Sequence, residues 1–389
     1  MNLYIIPAWY PQDETDLAGI FVREQAHALA ERGHNVTVIH IEPVSVTQCL
    51  SKKWHSERVW QDGNVRTVFH KAIIPIPAKL GKVQDNYISD LFCKILKEQI
   101  KKDVNAGLSK PDLIHAHVSH SCAYYCIKAS KELSIPLVTT EHYSGLLLGT
   151  ASEKDYARVA ETINKSDAFI FVGSRFQKTL CERLGIDKKT HVVFNMVDTD
   201  SYHIIKNREN TPFTFLVACH LNERKSVDLV IKAFDKAFGK EDKVRLLIAG
   251  DGEVRNDLVS LAYELGEIER IDFFGRYTKE QAKDIFANSD AFVLTSKVEP
   301  FGIVYIEALS SGIPCIATKG QGAEDIITDS NGFKVEYGDV NELADRMRNL
   351  YENRNTYDRA SLRNDCIERF GKTSICSQIE EIYKSVLEK

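Results

Sequence analysis

Directly after the apolar run Ala291-Phe292-Val293-Leu294 stands Thr295-Ser296-Lys297-Val298-Glu299-Pro300-Phe301-Gly302-Ile303-Val304-Tyr305-Ile306-Glu307-Ala308-Leu309. Residues 291–294 read as a strand covered on both faces, because they are apolar without alternation. Pro300 favours an extended residue before it, and Gly302 permits close approach of backbone to a ligand. The run from Ile303 to Leu309 then reads as a buried helix. A helix N-terminus therefore sits at the mouth of a strand, with backbone N–H groups at Phe301, Gly302, Ile303 and Val304 facing outward. Those groups and the helix dipole suit a diphosphate. Glu299 precedes the helix and Glu307 lies about one and a half turns inside it. One carboxylate can accept from sugar hydroxyls and the other from a ribose. An isolated pair at this spacing is more often a helix cap and a surface ion pair. The Pro-Phe-Gly between them and the buried strand before them favour the ligand.

The same grammar extends in both directions. Strands are expected at 2–6, 35–41, 113–116, 137–140, 168–172, 191–194, 214–218, 245–249, 271–274, 291–294 and 314–317. Helix-period segments lie between them at 19–32, 120–133, 153–165, 175–184, 225–238, 255–266 and 279–288. Such alternation predicts an α/β chain with parallel, doubly wound sheets. At 389 residues it suits two domains. The break is expected near 195–212, where Asn207-Arg208-Glu209-Asn210-Thr211-Pro212 is polar. Ligands of such sheets bind beyond the carboxyl ends of the strands, so motifs at strand ends carry the most weight.

Composition narrows the classes. Hydrophobic residues make up 43% and charged residues 27%, ordinary values for a globular protein. No apolar run is long enough to span a bilayer. Met1 to Pro7 reads as a first strand, not a signal peptide. Nine scattered cysteines without a Cys-x-x-Cys pair fit a reducing, cytoplasmic setting. Net charge is −5, yet residues 52–110 hold 12 basic and 6 acidic side chains. That is a patch for phosphate or an anionic membrane, too weak for nucleic acid. There is no G-x-G-x-x-G, Walker sequence or H-E-x-x-H, which argues against a nicotinamide enzyme, a P-loop NTPase and a zincin.

Around this frame the chain resembles the family 4 glycosyltransferases, which have the GT-B fold. The resemblance rests on the Glu299–Glu307 stretch and on Ala18-Gly19-Ile20-Phe21-Val22-Arg23-Glu24-Gln25, Glu31-Arg32-Gly33-His34-Asn35-Val36, Asp112-Leu113-Ile114-His115-Ala116-His117, Thr139-Thr140-Glu141-His142, Ala249-Gly250-Asp251-Gly252-Glu253 and Phe274-Gly275-Arg276. It implies two facing Rossmann-like domains with a cleft between them. Residues 1–194 would form the acceptor side and 195–370 the nucleotide-sugar side, with a helix at 371–389 packing back on the first. It also implies retention of anomeric configuration, no divalent metal and no cofactor. A UDP-sugar is the expected donor, with GDP-mannose as the alternative. The expected acceptor is a glycan or lipid carrier of a bacterial surface polysaccharide or glycoconjugate.

By resemblance, the Gly19 loop approaches the donor phosphate and the acceptor, and His117 contacts the donor sugar near its anomeric centre. Arg23 and His142 are candidates for the acceptor side. Arg224 and Lys225, before a helix, are placed to neutralise a leaving diphosphate. Gly250, Gly275 and Arg276 complete the donor set. One departure stands out. Where the family has Gly-Arg and then Lys-Gly, this chain has Cys219-His220 and Lys225-Ser226, so a histidine replaces the usual arginine. That keeps a non-catalytic partner subunit in play, and an epimerase of the same fold is the other rival. Asp198-Thr199-Asp200 has the D-x-D form of metal-dependent transferases but falls in the linker, where no metal is expected. Asp85 to Val104 places Ile88, Leu91, Phe92, Ile95 and Ile100 on one helical face. It is either a core-facing helix or a peripheral contact with an anionic membrane on its cytoplasmic face.

Overall fold

The computed structural model describes residues 1–388 apart from 13–15, 17, 46–56, 206–210, 300 and 321. Pro300 and the polar segment 207–210 therefore lie outside the described residues. The chain divides into two compact units, one of Met1–Met196 with Ile375–Lys389 and one of Val197–Ser374.

The first unit holds an eight-stranded sheet. Its strands are β1 (Asn2–Ile6), β2 (Asn35–Ser45), β3 (Glu57–Asp62), β4 (Val65–Ile74), β5 (Leu113–His117), β6 (Leu137–Glu141), β7 (Ala168–Phe171) and β8 (His191–Val192). The order is β3-β4-β2-β1-β5-β6-β7-β8. All neighbours pair in parallel except β3 with β4. That antiparallel edge hairpin departs from the all-parallel expectation. Its strand β3 holds only exposed and half-buried residues, so burial imprints no apolar run that a reading of the sequence would notice. β8 is also shorter than the 191–194 expected, ending at Val192.

Helix Lys82–Asn105 turns Ile88, Phe92, Leu96 and Ile100 into the core formed with β1, β2, β4 and β5. Its apolar face is thus covered by protein, and the membrane reading of that face gives way to the core-facing one. Helix Lys372–Leu387 buries Ile375, Cys376, Ile379, Ile382 and Tyr383 in a second core beside Leu3, Val36 and Ile170. Among the described residues no helix is long and apolar enough to cross a membrane.

The second unit holds β9 (Phe213–Ala218), β10 (Val244–Ala249), β11 (Ile271–Gly275), β12 (Ala291–Leu294), β13 (Cys315–Thr318) and β14 (Gly332–Val335) in the order β11-β10-β9-β12-β13-β14, all parallel. Phe215, Val217, Leu246, Ile248, Phe292 and Ile316 are fully buried, as a sheet covered on both faces requires.

In each sheet the winding reverses once. The reversal falls where β1 lies between β2 and β5, and where β9 lies between β10 and β12. Chains leave these paired strands in opposite directions, which opens a crevice at their carboxyl ends. β9 and β12 pair at only two positions, Phe215 with Ala291 and Leu216 with Phe292.

Candidate functional site

The segments predicted to carry chemistry fall at these two reversals. In the second unit, β9 leads into a short 3-10 turn, Glu223–Lys225, and then into helix Val227–Ala237. The helix begins two residues later than expected because Asn222 caps the turn, accepting from the Lys225 N–H, and Ser226 takes a left-handed conformation at φ 50°. Lys225 is thereby lifted off the helix and aimed across to β12. Its Nζ lies 2.5 Å from Oε2 of Glu299, and the two side chains are only 12% and 14% exposed. The backbone ties the same loops together. Lys297 N–H donates to the Arg224 carbonyl at 2.8 Å, Gly322 N–H to the Glu299 carbonyl at 2.6 Å, and the Thr295 hydroxyl to the Ser226 carbonyl at 3.1 Å.

Helix Ile303–Ser310 follows, with Gly302 at its N-terminus at φ 93°. A Cβ on Gly302 would lie 2.6 Å from the ring of Tyr305, so glycine is required both by φ and by space. Tyr305 is fixed in turn by its hydroxyl, which donates to the Leu294 carbonyl at 2.7 Å. The amides of Ile303 and Val304 lie in the first turn, where a helix offers no carbonyl four residues back. Phe301 is buried. On the inner turn, Glu307 Oε1 accepts from the Tyr202 hydroxyl at 2.7 Å. Tyr202 is itself buried and packs edge-on against Phe286. Tyr277 stands near by, its phenol pushed up by burial and then by the charge of Glu307.

Gly250 and Gly275 meet at the ends of β10 and β11, where Gly250 N–H donates to the Gly275 carbonyl at 2.8 Å. A Cβ on Gly250 would fall 1.8 Å from the Cys219 carbonyl oxygen, whereas one on Gly275 would meet open space. Gly250 therefore serves the close passage of two loops, and Gly275 serves its left-handed φ of 83°. Arg276 is exposed and donates to Asp251 at 3.2 Å. Arg224 is half-buried. His220 does not fill an arginine's place in a buried pocket. It stands 63% exposed, 3.3 Å from Glu253. Beside it the Cys219 thiol is pushed up to about 12, chiefly by burial.

In the first unit, Gly19 sits at φ 75° before helix Ile20–Glu31, and a Cβ there would lie 2.0 Å from the Trp9 carbonyl oxygen. The glycine lets the loop after β1 cross over itself. Arg23 grips Asp62 with two nitrogens, at 2.6 and 2.7 Å, and this holds the Asp62 carboxyl down at about 2. The guanidinium proposed for an acceptor is thus engaged by the β3–β4 hairpin.

His117, at the end of β5, is 1% exposed. Its Nδ1 lies 3.0 Å from His142 Nε2, and its ring stacks on His115 at 4.3 Å. His115 is held on both sides, by Tyr383 at 2.6 Å and Thr140 at 2.7 Å. Burial, with His115 and His142 close by, pushes His117 well below the usual imidazole range, so it is neutral at physiological pH. Its Nε2 is buried and has no protein partner among the described residues. The linker aspartate Asp198 is taken by Ser201 at 2.6 Å and Lys372 at 3.1 Å.

Reading the sequence missed Tyr202, Tyr305 and Ser296. Ser296 follows β12 directly, and its buried hydroxyl has no partner among the described residues. Tyr202 and Ser296 sit outside any periodic segment, so nothing in the local pattern marks them. Tyr305 lies inside the apolar run and reads there as plain core.

Two strand reversals in parallel sheets, each carrying a glycine loop and a polar cluster at its carboxyl end, are the architecture of a GT-B glycosyltransferase. Residues 18–201 match the model of Glycosyltransferase Family 4, and residues 198–369 match that of glycosyl transferases group 1. The chain is a glycosyltransferase of the GT-B fold matching family 4. It is 28% identical over 291 residues to the N-acetyl-alpha-D-glucosaminyl L-malate synthase of Bacillus anthracis, covering 71% of this chain and 75% of that one. The solved structure of Anabaena HepE in complex with UDP and glucose superposes with a TM-score of 0.71 at 19% identity, covering 99% of this chain and 100% of that one. The apo lipopolysaccharide outer core galactosyltransferase WaaB gives 0.74 at 19% identity, with 99% of each chain covered.

Proposed function

We propose that the chain transfers a sugar from a nucleoside-diphosphate sugar, first of all a UDP-sugar, to a hydroxyl of an acceptor in polysaccharide or glycoconjugate synthesis, with retention of configuration and without a metal. The observation that carries this reading is the Lys225–Glu299 pair beside the N-terminus of helix Ile303–Ser310. A diphosphate placed there meets an ammonium, the first-turn amides and the positive end of a helix dipole. Lys225 exchanges Glu299 for phosphate oxygens, which frees the carboxylate to accept from sugar hydroxyls. Glu307, oriented by Tyr202, accepts from the ribose.

The first unit supplies His117 and the acceptor side. A neutral imidazole there offers Nε2 as a hydrogen-bond partner and adds no positive charge. In the transfer step the bond from the anomeric carbon to the diphosphate oxygen breaks and the bond to the acceptor oxygen forms on the same face. The acceptor's proton passes to a departing phosphate oxygen. The resemblance to HepE, solved with UDP and glucose, and to a sugar–malate synthase supports a nucleotide-linked donor.

The test is a transfer assay with Glu299→Ala and Lys225→Ala, using the donor picked by a thermal-shift screen against UDP, GDP, ADP and their sugars. Each variant should lose about two to three orders of magnitude in kcat while keeping its circular dichroism and melting profile. Near-wild-type turnover in both would overturn the site. The exposed His220 in place of an arginine keeps one rival worth measuring: nucleotide binding by calorimetry with neither transfer nor donor hydrolysis would mean a non-catalytic partner.

A further inference from the structure

A cavity of about 550 Å³ lies wholly within the first unit, beside the Gly19 loop, at the carboxyl ends of β1, β2 and β4. It is of the size that holds small ligands. Trp9 stands at its lip, 39% exposed and facing Tyr143 at 6.2 Å. His40 and Phe69 form its floor, edge to face at 5.3 Å, and His40 is neutral because burial pushes it down to about 4. Among the described residues the cations lining the cavity are therefore Arg58 and Lys71.

Both are poised for a ligand. The Arg58 guanidinium lies over the Trp60 ring at 4.3 Å and donates to the carbonyl and side-chain oxygens of Gln12 at 3.2 and 3.0 Å. Gln12 is held from behind by His40 at 3.1 Å and the Tyr10 carbonyl at 3.2 Å. These contacts position the arginine, and among the described residues no carboxylate lies within 4 Å of it. Lys71 is half-buried on β4 and likewise has no ion pair among the described residues, although Glu42 is its register partner on β2. The other acid of the cavity, Asp16, spends both oxygens on backbone amides, Oδ2 on Gln12 at 3.0 Å and Oδ1 on Ala18 at 2.9 Å. A positioned arginine, a half-buried lysine, an exposed indole face and the hydrogen-bonding Gln12 and Glu42 thus share one cavity.

We propose that this cavity is the acceptor pocket and that it selects an acceptor carrying an anionic group, a carboxylate or a phosphate, next to the hydroxyl that is glycosylated. Arg58 and Lys71 hold the anion, Trp9 covers the apolar face of the acceptor, and Glu42 and Gln12 take its hydroxyls. The proposal rests on the transferase reading above and goes beyond it by naming the acceptor's chemistry.

Its test compares D-glucuronate and glycerol 3-phosphate with D-glucose and glycerol as acceptors for the full chain, with the donor chosen by the thermal-shift screen. The anionic acceptors should lead by at least about tenfold in kcat/KM. Arg58→Gln and Lys71→Met should each lose about ten- to a hundredfold toward them, with nucleoside diphosphate affinity unchanged. Whether glucuronate or glycerol 3-phosphate leads separates a carboxylate from a phosphate acceptor. Equal use of charged and uncharged acceptors, or undiminished discrimination in both variants, overturns the proposal while leaving the donor site standing. If wild type binds no nucleoside diphosphate, the donor reading fails instead. Calorimetric titration of the two anions then decides the pocket without turnover: saturable binding lost in Lys71→Met sustains it, and its absence overturns it.

Discussion

Lys225 and Glu299 are both nearly buried, and each is the other's neutralising partner at 2.5 Å. Each is also placed to meet the donor, Lys225 through the diphosphate and Glu299 through the sugar hydroxyls, which is why alanine at either position is expected to act through donor binding and orientation together. Tyr202 is the finer test of the ribose side. Tyr202→Phe removes the hydrogen bond at 2.7 Å to Glu307, so the dissociation constant for the nucleoside diphosphate should rise about three- to tenfold by calorimetry. Gly250 is a test of backbone passage. A methyl group there would lie 1.8 Å from the Cys219 carbonyl oxygen, so Gly250→Ala should lower unfolding free energy in urea by about 2–3 kcal/mol, whereas Gly239→Ala meets only the end of the Glu241 side chain and should be milder. The places of Lys225 and Glu299 were legible in the sequence because each precedes a helix after a strand, and that of Glu307 because it lies inside the helix that follows Gly302. Their partners were not. Lys225 meets Glu299 across two strands 74 residues apart, and no spacing rule reaches that far.

At the scale of elements, the C-terminal helix Lys372–Leu387 is fastened to the first unit at two levels. Tyr383 reaches His115 inside the core, and Glu380 takes Arg32 at 2.7 Å and His34 at 2.9 Å nearer the surface. The Arg32 hydrogen bonds, with His34 adding to them, hold the Glu380 carboxyl at about 2, against an ordinary value of 4.5. A depressed carboxylate stabilises the fold above its unfolded pKa and loses that contribution as pH falls through the folded one. Glu380→Gln should therefore cost about 1 kcal/mol at pH 7, after allowance for solvent screening. Wild type and variant should converge in thermal melts as pH falls from 4.5 toward 2. The helix itself was expected from the family resemblance, whereas the β3–β4 hairpin was not expected. Its outer strand is an exposed edge, and an edge strand imposes no apolar pattern on the sequence that encodes it.

For the whole molecule, the two units each have a sheet with a single reversal and a core of their own. A nucleoside diphosphate bound by the second unit stabilises it by mass action. At a concentration one hundred times Kd the gain is about 2.7 kcal/mol, visible as a rise in melting temperature that Lys225→Ala should remove. A nucleotide that shifts wild type and Lys225→Ala equally would place its site elsewhere. Read alone, the sequence determined the α/β alternation, most strand and helix positions, the glycine that opens helix Ile303–Ser310, and the motif that marks a glycosyltransferase. These follow from side-chain period, backbone sterics and short spacing, all of which act within a few residues. Only the tertiary structure decided the strand order that brings β9 beside β12 and β1 beside β5, the seating of His117 between His115 and His142, and the gathering of Arg58 and Lys71 in the first-unit cavity. Those depend on which distant surfaces bury each other, and burial is a property of the folded whole.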